Sequence, residues 1–429
     1  MERKSKSEKG QIIVILALAL IALLGVTALA MDGGLVYSDR RVSQNTADSS
    51  ALAGGGAASQ ILKDAKPSEF YCVSTKAANA IKAAKQAAID QAAELGVTLD
   101  TNISDQMGVS VTCNTTPYGS FMDIRVIITS FTETNFARLV FRGPLKSVVE
   151  TTVRVYPVRP LGFGNAIVSL SRSCGNIGGL TMVGDSHITI SDGGIHSNSC
   201  MTGSGNIDVL VEDAVIEYYT TLIANGHPSI DPWPVATTTI LPKEYIEDRL
   251  DCNYPGMEAQ TSKPSGVLEP GIYSKIDAKG DLTLKPGLYC LDGDFTANAT
   301  ALLTAEDVTI YLRRGSLVFN GKAVVTMTAP DYDEGPGVPP AVRGLLIYMA
   351  QDNNGKIEFA GTPTNTFSGT IYAPNGDIIV TGTSDSGGGV ELSCQLIGNK
   401  VDIRGTADIL INFDGADLFT FDSSLDLLK

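Results

Sequence analysis

Asp and Glu outnumber Lys and Arg 47 to 32, and Asp277, Asp281, Asp292, Asp294 and Asp307 crowd one stretch of the chain. Glycoside cleavage needs two carboxylates, or a carboxylate with Arg or Lys, held on one face. No spacing among these five singles out a pair, so they read as solvated surface. His187 and His196 fall between Cys174 and Cys200 as C-x12-H-x8-H-x3-C, while His227 stands alone beside Pro228. That spacing matches no usual zinc pattern. Asp292-Gly293-Asp294 offers oxygen ligands but lacks the nonapeptide repeat of calcium-binding β-rolls. P-loop, GxGxxG after a strand, HExxH and GxSxG signatures are absent. No catalytic residue, cofactor or metal is assigned, and the expectation is a non-enzyme. A membrane-tethered β-helical carbohydrate-active enzyme is the alternative.

The cysteines are 72, 113, 174, 200, 252, 290 and 394, and none belongs to a CxxC pair. Well-spaced cysteines outside the cytoplasm form disulfides. Their order suggests Cys72–Cys113, Cys174–Cys200 and Cys252–Cys290, with Cys394 left over; order alone leaves other connectivities open.

Position relative to the membrane follows from residues 12–31, IIVILALALIALLGVTALAM, which carry no charge. A helix of that length rises ~30 Å, one hydrocarbon core. Arg3, Lys4, Lys6 and Lys9 precede it, which favours a cytoplasmic N-terminus. A secretory signal with cleavage after Ala28-Leu29-Ala30 is the competing reading; the full-length apolar run favours a retained span. The expectation is a single-pass protein of the cytoplasmic membrane with its C-terminal bulk extracytoplasmic.

Net charge is −15, and residues 1–41 carry six basic and four acidic side chains, leaving −17 on the remainder. An acidic exterior without a basic cluster repels phosphate backbones, which excludes nucleic acid as a partner. Abundant Gly (44), one Trp and 7% aromatics suit short strands and turns better than a helical enzyme.

Residues 35–62 continue as a helix rich in Ala, Ser and Gly, with a bend expected at Gly33-Gly34. Small residues suit either close contact with partner helices or packing of a stalk on its own domain. Gly10-Gln11, the apolar span, Asp32-Gly33-Gly34, Tyr37, Arg40-Arg41, Gln44-Asn45, Ala47-Asp48 and Ala51-Leu52-Ala53-Gly54 stand in one order. In that order they resemble the N-terminal segment of TadG-like Flp (tight-adherence) pilus-assembly proteins. The resemblance covers about 50 residues and implies membrane association beside a type IV-like pilus machine, with other pilus-assembly or pseudopilin subunits as partners. It also implies a possible prepilin-type cut between Gly10 and Gln11. Such sites usually have Glu at the fifth position after the cut, where this chain has Ile15, so an uncleaved anchor is expected. Some relatives carry a DxSxS metal motif; Asp48-Ser49-Ser50 and Asp422-Ser423-Ser424 lack that spacing.

Further on, residues 75–95 have helical periodicity through Ile81, Ala84, Ala88 and Leu95, with Gly96 as a stop. Strands at 109–112 and 123–129, a short helix at 136–141 and a strand at 148–158 complete a small α+β module, with Cys72–Cys113 stapling helix to sheet. After YPVRPLGFG (156–164), runs of ~4–7 residues alternate with Gly, Asn or Asp corners, as in DVTIYLRRG and NGDIIVTG. A right-handed parallel β-helix with coils of ~20 residues and on the order of ten rungs fits best; a β-sandwich is the alternative. PGIYS, PGLYCLDG and GTIYAPNG resemble the β-helical tails of some TadG-like and polymer-forming surface proteins. Proline-rich stretches at 225–270 and 330–340 read as loops inserted between coils. The expected organisation is therefore a cytoplasmic arm (1–11), membrane helix (12–31), TadG-like stalk and α+β module (32–158), β-helix (159–415) and tail (416–429). Its role would be a non-catalytic part of a pilus or adhesion apparatus, or a stand-alone adhesin, with a surface or glycan ligand.

Overall fold

The computed structural model describes residues 11–63, 72–116, 119–136, 143–175, 178–185, 187–212, 214–320, 322–361, 365–382, 390–405, 409–413 and 418–428. The chain forms two compact units: one holds the chain through Val158 together with Asp422 onwards, the other Arg159–Phe421.

In the first unit, α1 runs unbroken over Gln11–Leu62. A loose turn at Gly33-Gly34 would break the helix, and no break occurs. Each glycine weakens a helix by about 1 kcal/mol relative to Ala but removes no backbone donor, so the hydrogen-bond ladder passes through. The second helix, α2 (Thr75–Glu94), is capped by Ser74, whose Oγ accepts the Ala77 N–H at 3.2 Å. It buries Ala77, Ala80, Ala84, Ala88 and Ala92, while Leu95, expected on that face, is exposed. An alanine stripe lets the two helices approach closely. A Cβ built on Gly54 of α1 would lie 2.8 Å from the Ala84 carbonyl oxygen.

Both helices cover one face of an antiparallel sheet of β1 (Gly108–Thr116), β2 (Gly119–Thr132) and β3 (Leu145–Tyr156). Period-2 alternation turns Met122, Ile124, Val126 and Ile128 of β2 and Val149, Val153 and Val155 of β3 inward. The helix expected at 136–141 lies outside the described residues from 137 on. Residues set apart as a tail have two separate places. Ser424–Leu428 pairs with β3 as a fourth strand, and Thr420–Phe421 pairs with Arg159–Pro160 in the second unit.

The second unit is mainly β and dominated by one large parallel sheet. Strands pair with the strand one period on: His187 with Asp208, Asp208 with Ser229, Leu282 with Leu303, each a step of 21 residues. Ile188, Ile190, Val209, Val211, Leu282, Leu284, Leu303 and Val325 face one continuous core. Residues 330–340 fall between Val324–Thr328 and Leu345–Met349, each of which pairs with other strands of the sheet.

Stacking order differs from chain order. Asn165–Ser169, where the ladder begins, lies against Val390–Gly405 near the chain's end. From there the ladder grows through Gly194–Ser197 and Ile216–Tyr218 to Val235–Ala236. It restarts at Ala259–Gln260 and builds through Gly271–Tyr273, Gly287–Leu291, Val308–Leu312, Leu345–Met349 and Thr366–Gly382 back to Val390–Gly405. The stretch 225–270 is therefore not one inserted loop. Its first part holds ladder strands, and only 237–258 is a connecting strap. Cys290, Tyr311, Tyr348, Tyr372, Ile397 and Val168 stand in one register row on the side of these strands away from the main core. Leu241, Ile246, Leu250 and Cys252 of the strap bury that row in a core of its own.

Candidate membrane anchor and assembly helix

The first twenty residues of α1 after Gln11 leave their large apolar side chains in the open: Ile13 is 69% and Leu29 74% exposed. Fully exposing an aliphatic side chain to water costs ~1.5–3 kcal/mol, so this surface belongs in hydrocarbon. Among the described residues it is the one helix long and apolar enough to cross a membrane.

Asp32 marks the change of environment. Its side chain is 2% exposed, and its two carboxylate oxygens accept the backbone N–H groups of Asn135 and Phe136, each at 2.9 Å. Three turns on, Gln44 donates to Asp48 Oδ1 at 2.7 Å and to Thr151 Oγ1 at 2.9 Å, and Thr151 Oγ1 donates to the same Asp48 oxygen. A buried polar group costs free energy unless paired, and here the bonds to Thr151, Asn135 and Phe136 tie α1 to the module. Gly54 and Gly55 complete the docking: a Cβ on Gly55 would press within 2.7 Å of Val153. The docked half of the helix is thus packed on its own domain. Tyr37, Arg40, Arg41 and Asn45 remain exposed.

Of the proposed processing site, Gly10 lies outside the described residues, and Gln11 is the first residue of α1. Cys72 and Cys113 are disulfide-bonded, joining the segment before the α2 cap to β1, and Cys252 and Cys290 are disulfide-bonded, joining the strap to the ladder. Cys174 and Cys200 are not bonded: their thiols share a hydrogen bond, with Cys174 exposed and Cys200 buried. Hydrogen bonds from Cys200 and Thr220 outweigh the effect of burial and hold the Cys174 thiol below its usual range, while burial raises Cys200. Cys394 is buried, and burial raises its thiol strongly.

His196 is 1% exposed and held by Glu217 at 3.2 Å and Asn198 at 3.1 Å, whereas exposed His187 faces Asp208 at 3.3 Å. No group of three or more His, Cys, Asp or Glu able to hold a metal occurs among the described residues. The acidic stretch is spent locally. Asp277 pairs with Lys279 at 2.9 Å, Asp292 with Arg313 at 2.6 Å, and Asp294 accepts the Ser316 N–H at 2.8 Å. The docking residues Gln44, Asp48 and Gly54 were visible as an ordered polar and small-residue pattern, but nothing local revealed Thr151 as the partner of Gln44 and Asp48, or Ala84 as the neighbour of Gly54.

Searches of curated proteins and of solved structures find no match. Residues 10–59 match the family model of the TadE/G-like Flp pilus-assembly proteins (Tad), and the matched segment overlaps the N-terminal apolar helix.

Proposed function

We propose that this protein is a non-catalytic, single-pass component of a Flp/Tad-type pilus or surface-adhesion apparatus. Its N-terminus is cytoplasmic and its second unit is displayed on the far side of the cytoplasmic membrane. The observation that carries this reading is the Tad domain at 10–59, coinciding with a helix that is bare over its apolar half and built into a folded module over the rest. The second unit is then a parallel β-helix: strands pair parallel at a 21-residue step, and the core runs without a break from step to step. Partner subunits meet α1 on the face where Tyr37, Arg41 and Asn45 recur four residues apart and stay exposed. Protease added to spheroplasts of the native host tests the topology. Digestion of residues 159–421 is expected; their full protection, or intact pili in a strain lacking residues 10–59, overturns the reading.

A second reading has one observation in its favour. Asp377 and Asp402 lie on adjacent strands, diagonally across the register pair Asp377–Lys400. Burial pushes the Asp377 carboxyl up, whereas Arg404 and Lys400 outweigh burial at Asp402 and hold it down. Carboxylates driven apart in this way are what a tethered glycan-cleaving enzyme would need. Release of reducing ends from a glycan panel by wild type but not Asp377→Asn would support that enzyme; no release favours the non-catalytic role.

A further inference from the structure

Where the end of the ladder meets its beginning, a groove of about 750 Å³ opens on the outer face of the parallel sheet. That volume lies inside the range of small-ligand sites. It is built by residues some two hundred positions apart in the chain, so only the inverted stacking order creates it. Two side-chain rows line it. Asp402, Thr181 and Thr202 stand in register along one, and Arg404, Val183 and Ser204 along the next. Successive members sit one strand spacing apart, ~4.8 Å.

The polar groups are arranged for mixed donation and acceptance. Asp402 is 2% exposed, and Lys400 (3.2 Å) and Arg404 both engage its Oδ2, leaving Oδ1 without a hydrogen-bond partner. A carboxylate oxygen buried and unpaired in this way is unfavourable, and the residue that carries it lines the groove. Lys400 and Arg404 share the lining with two carboxylates, Asp402 and Asp185, so the groove carries no net formal charge to draw in a free anion. Thr181, Thr202 and Ser204 add hydroxyls that donate and accept alike. Val183, 38% exposed, supplies an apolar patch, and the stacked glycines Gly405, Gly184 and Gly205 leave the groove open beside it.

We propose that this groove binds a glycan segment through its hydroxyls. A polyhydroxylated chain matches alternating donors and acceptors over apolar patches, which a phosphate or a metal ion does not. The binding property is independent of whether residues 10–59 enter a pilus. The test is calorimetric titration of the full-length protein in detergent with neutral, amino-sugar and uronate oligosaccharides, and with inorganic phosphate alone. At least one oligosaccharide is expected to bind, and Val183→Trp, which fills the groove from an exposed position, to weaken it about tenfold or more. Thr202→Trp is the second blocking variant, and each must keep the wild-type thermal midpoint to count. Absence of binding by every oligosaccharide, binding of phosphate alone, or undiminished binding in a folded blocking variant overturns the proposal.

Discussion

Asn198 and Leu241 hold each other by two hydrogen bonds. The Asn198 side-chain amide donates to the Leu241 carbonyl at 2.8 Å, and the Leu241 N–H donates to Asn198 Oδ1 at 2.7 Å. A single side chain thus satisfies the buried backbone of a segment 43 residues away as a strand neighbour would. Further along the strap, Tyr372 Oη bonds the backbone of Glu244, Lys243 donates to Asn375 at 2.7 Å and Asn399 at 3.1 Å, and Cys252 is bonded to Cys290. These ties fix the one segment that lets the ladder end beside its own start, and so hold the groove walls Thr181 and Asp402 in register.

Replacing Asn198 with Ala leaves both Leu241 groups buried without partners. Each orphan costs about 1–3 kcal/mol, so a loss of roughly 2–6 kcal/mol is expected in denaturant unfolding, together with faster proteolysis within 237–258. An unchanged midpoint and cleavage pattern would mean that the strap is held by its apolar residues alone.

The cysteines should separate by reactivity. Alkylation of the native protein is expected to label Cys174, exposed and with its thiol lowered, while Cys200 and Cys394 react only after unfolding. Mass spectrometry should find 72–113 and 252–290 as the bonded pairs. Cys252→Ser opens a 38-residue loop and should cost about 4 kcal/mol by loop-closure entropy.

Two glycines of α1 should respond in opposite ways. Gly54→Ala pushes a methyl against the Ala84 carbonyl at 2.8 Å and is expected to destabilise the first unit by about 1–3 kcal/mol. Gly56 has nothing within 4 Å of a built Cβ, so Gly56→Ala should stabilise by up to about 1 kcal/mol through helix propensity. Thermal unfolding of the two variants in parallel distinguishes docking of α1 from a free stalk.

Much of this architecture was legible in local pattern. The apolar run at 12–31, the alanine-rich period at 75–95 and the recurrent short strands all declare themselves through hydrophobic spacing, and the Tad pattern is an ordered run of residues. The inverted stacking was not, because no local signal places Ile397 beside Val168. One sign was available: GLYCL, VTIYL and LLIYM are apolar in near-continuous runs rather than alternating, and all five positions of each strand are buried. Such strands need cover on both faces, and the cover is the strap. The prolines at 228–270 masked it by reading as a single loop. The groove was illegible for the same reason, since Lys400, Asp402 and Arg404 acquire Thr181 and Thr202 only across that seam.

Asp402 in the groove and Asp377 on the neighbouring strand should give stability profiles of opposite sign. At Asp402, burial works to raise the carboxyl, but the Arg404 hydrogen bond and Lys400 prevail, so its folded pKa lies below the unfolded ~3.9. Its ionised form therefore contributes stability above the unfolded pKa, and that contribution is lost as pH falls through the folded value. Asp377 is raised, chiefly by burial, with Asp402 adding to the effect and Lys400 opposing it. Its native state holds a proton that the unfolded chain releases, so stability declines as pH rises from the unfolded pKa to the folded one. Asp402→Asn should consequently destabilise at neutral pH and approach wild type as pH falls below the unfolded ~3.9, whereas Asp377→Asn should gain on wild type as pH rises above that value. Denaturant midpoints measured across that range check both signs, and parallel curves for the two variants would overturn the opposite assignments.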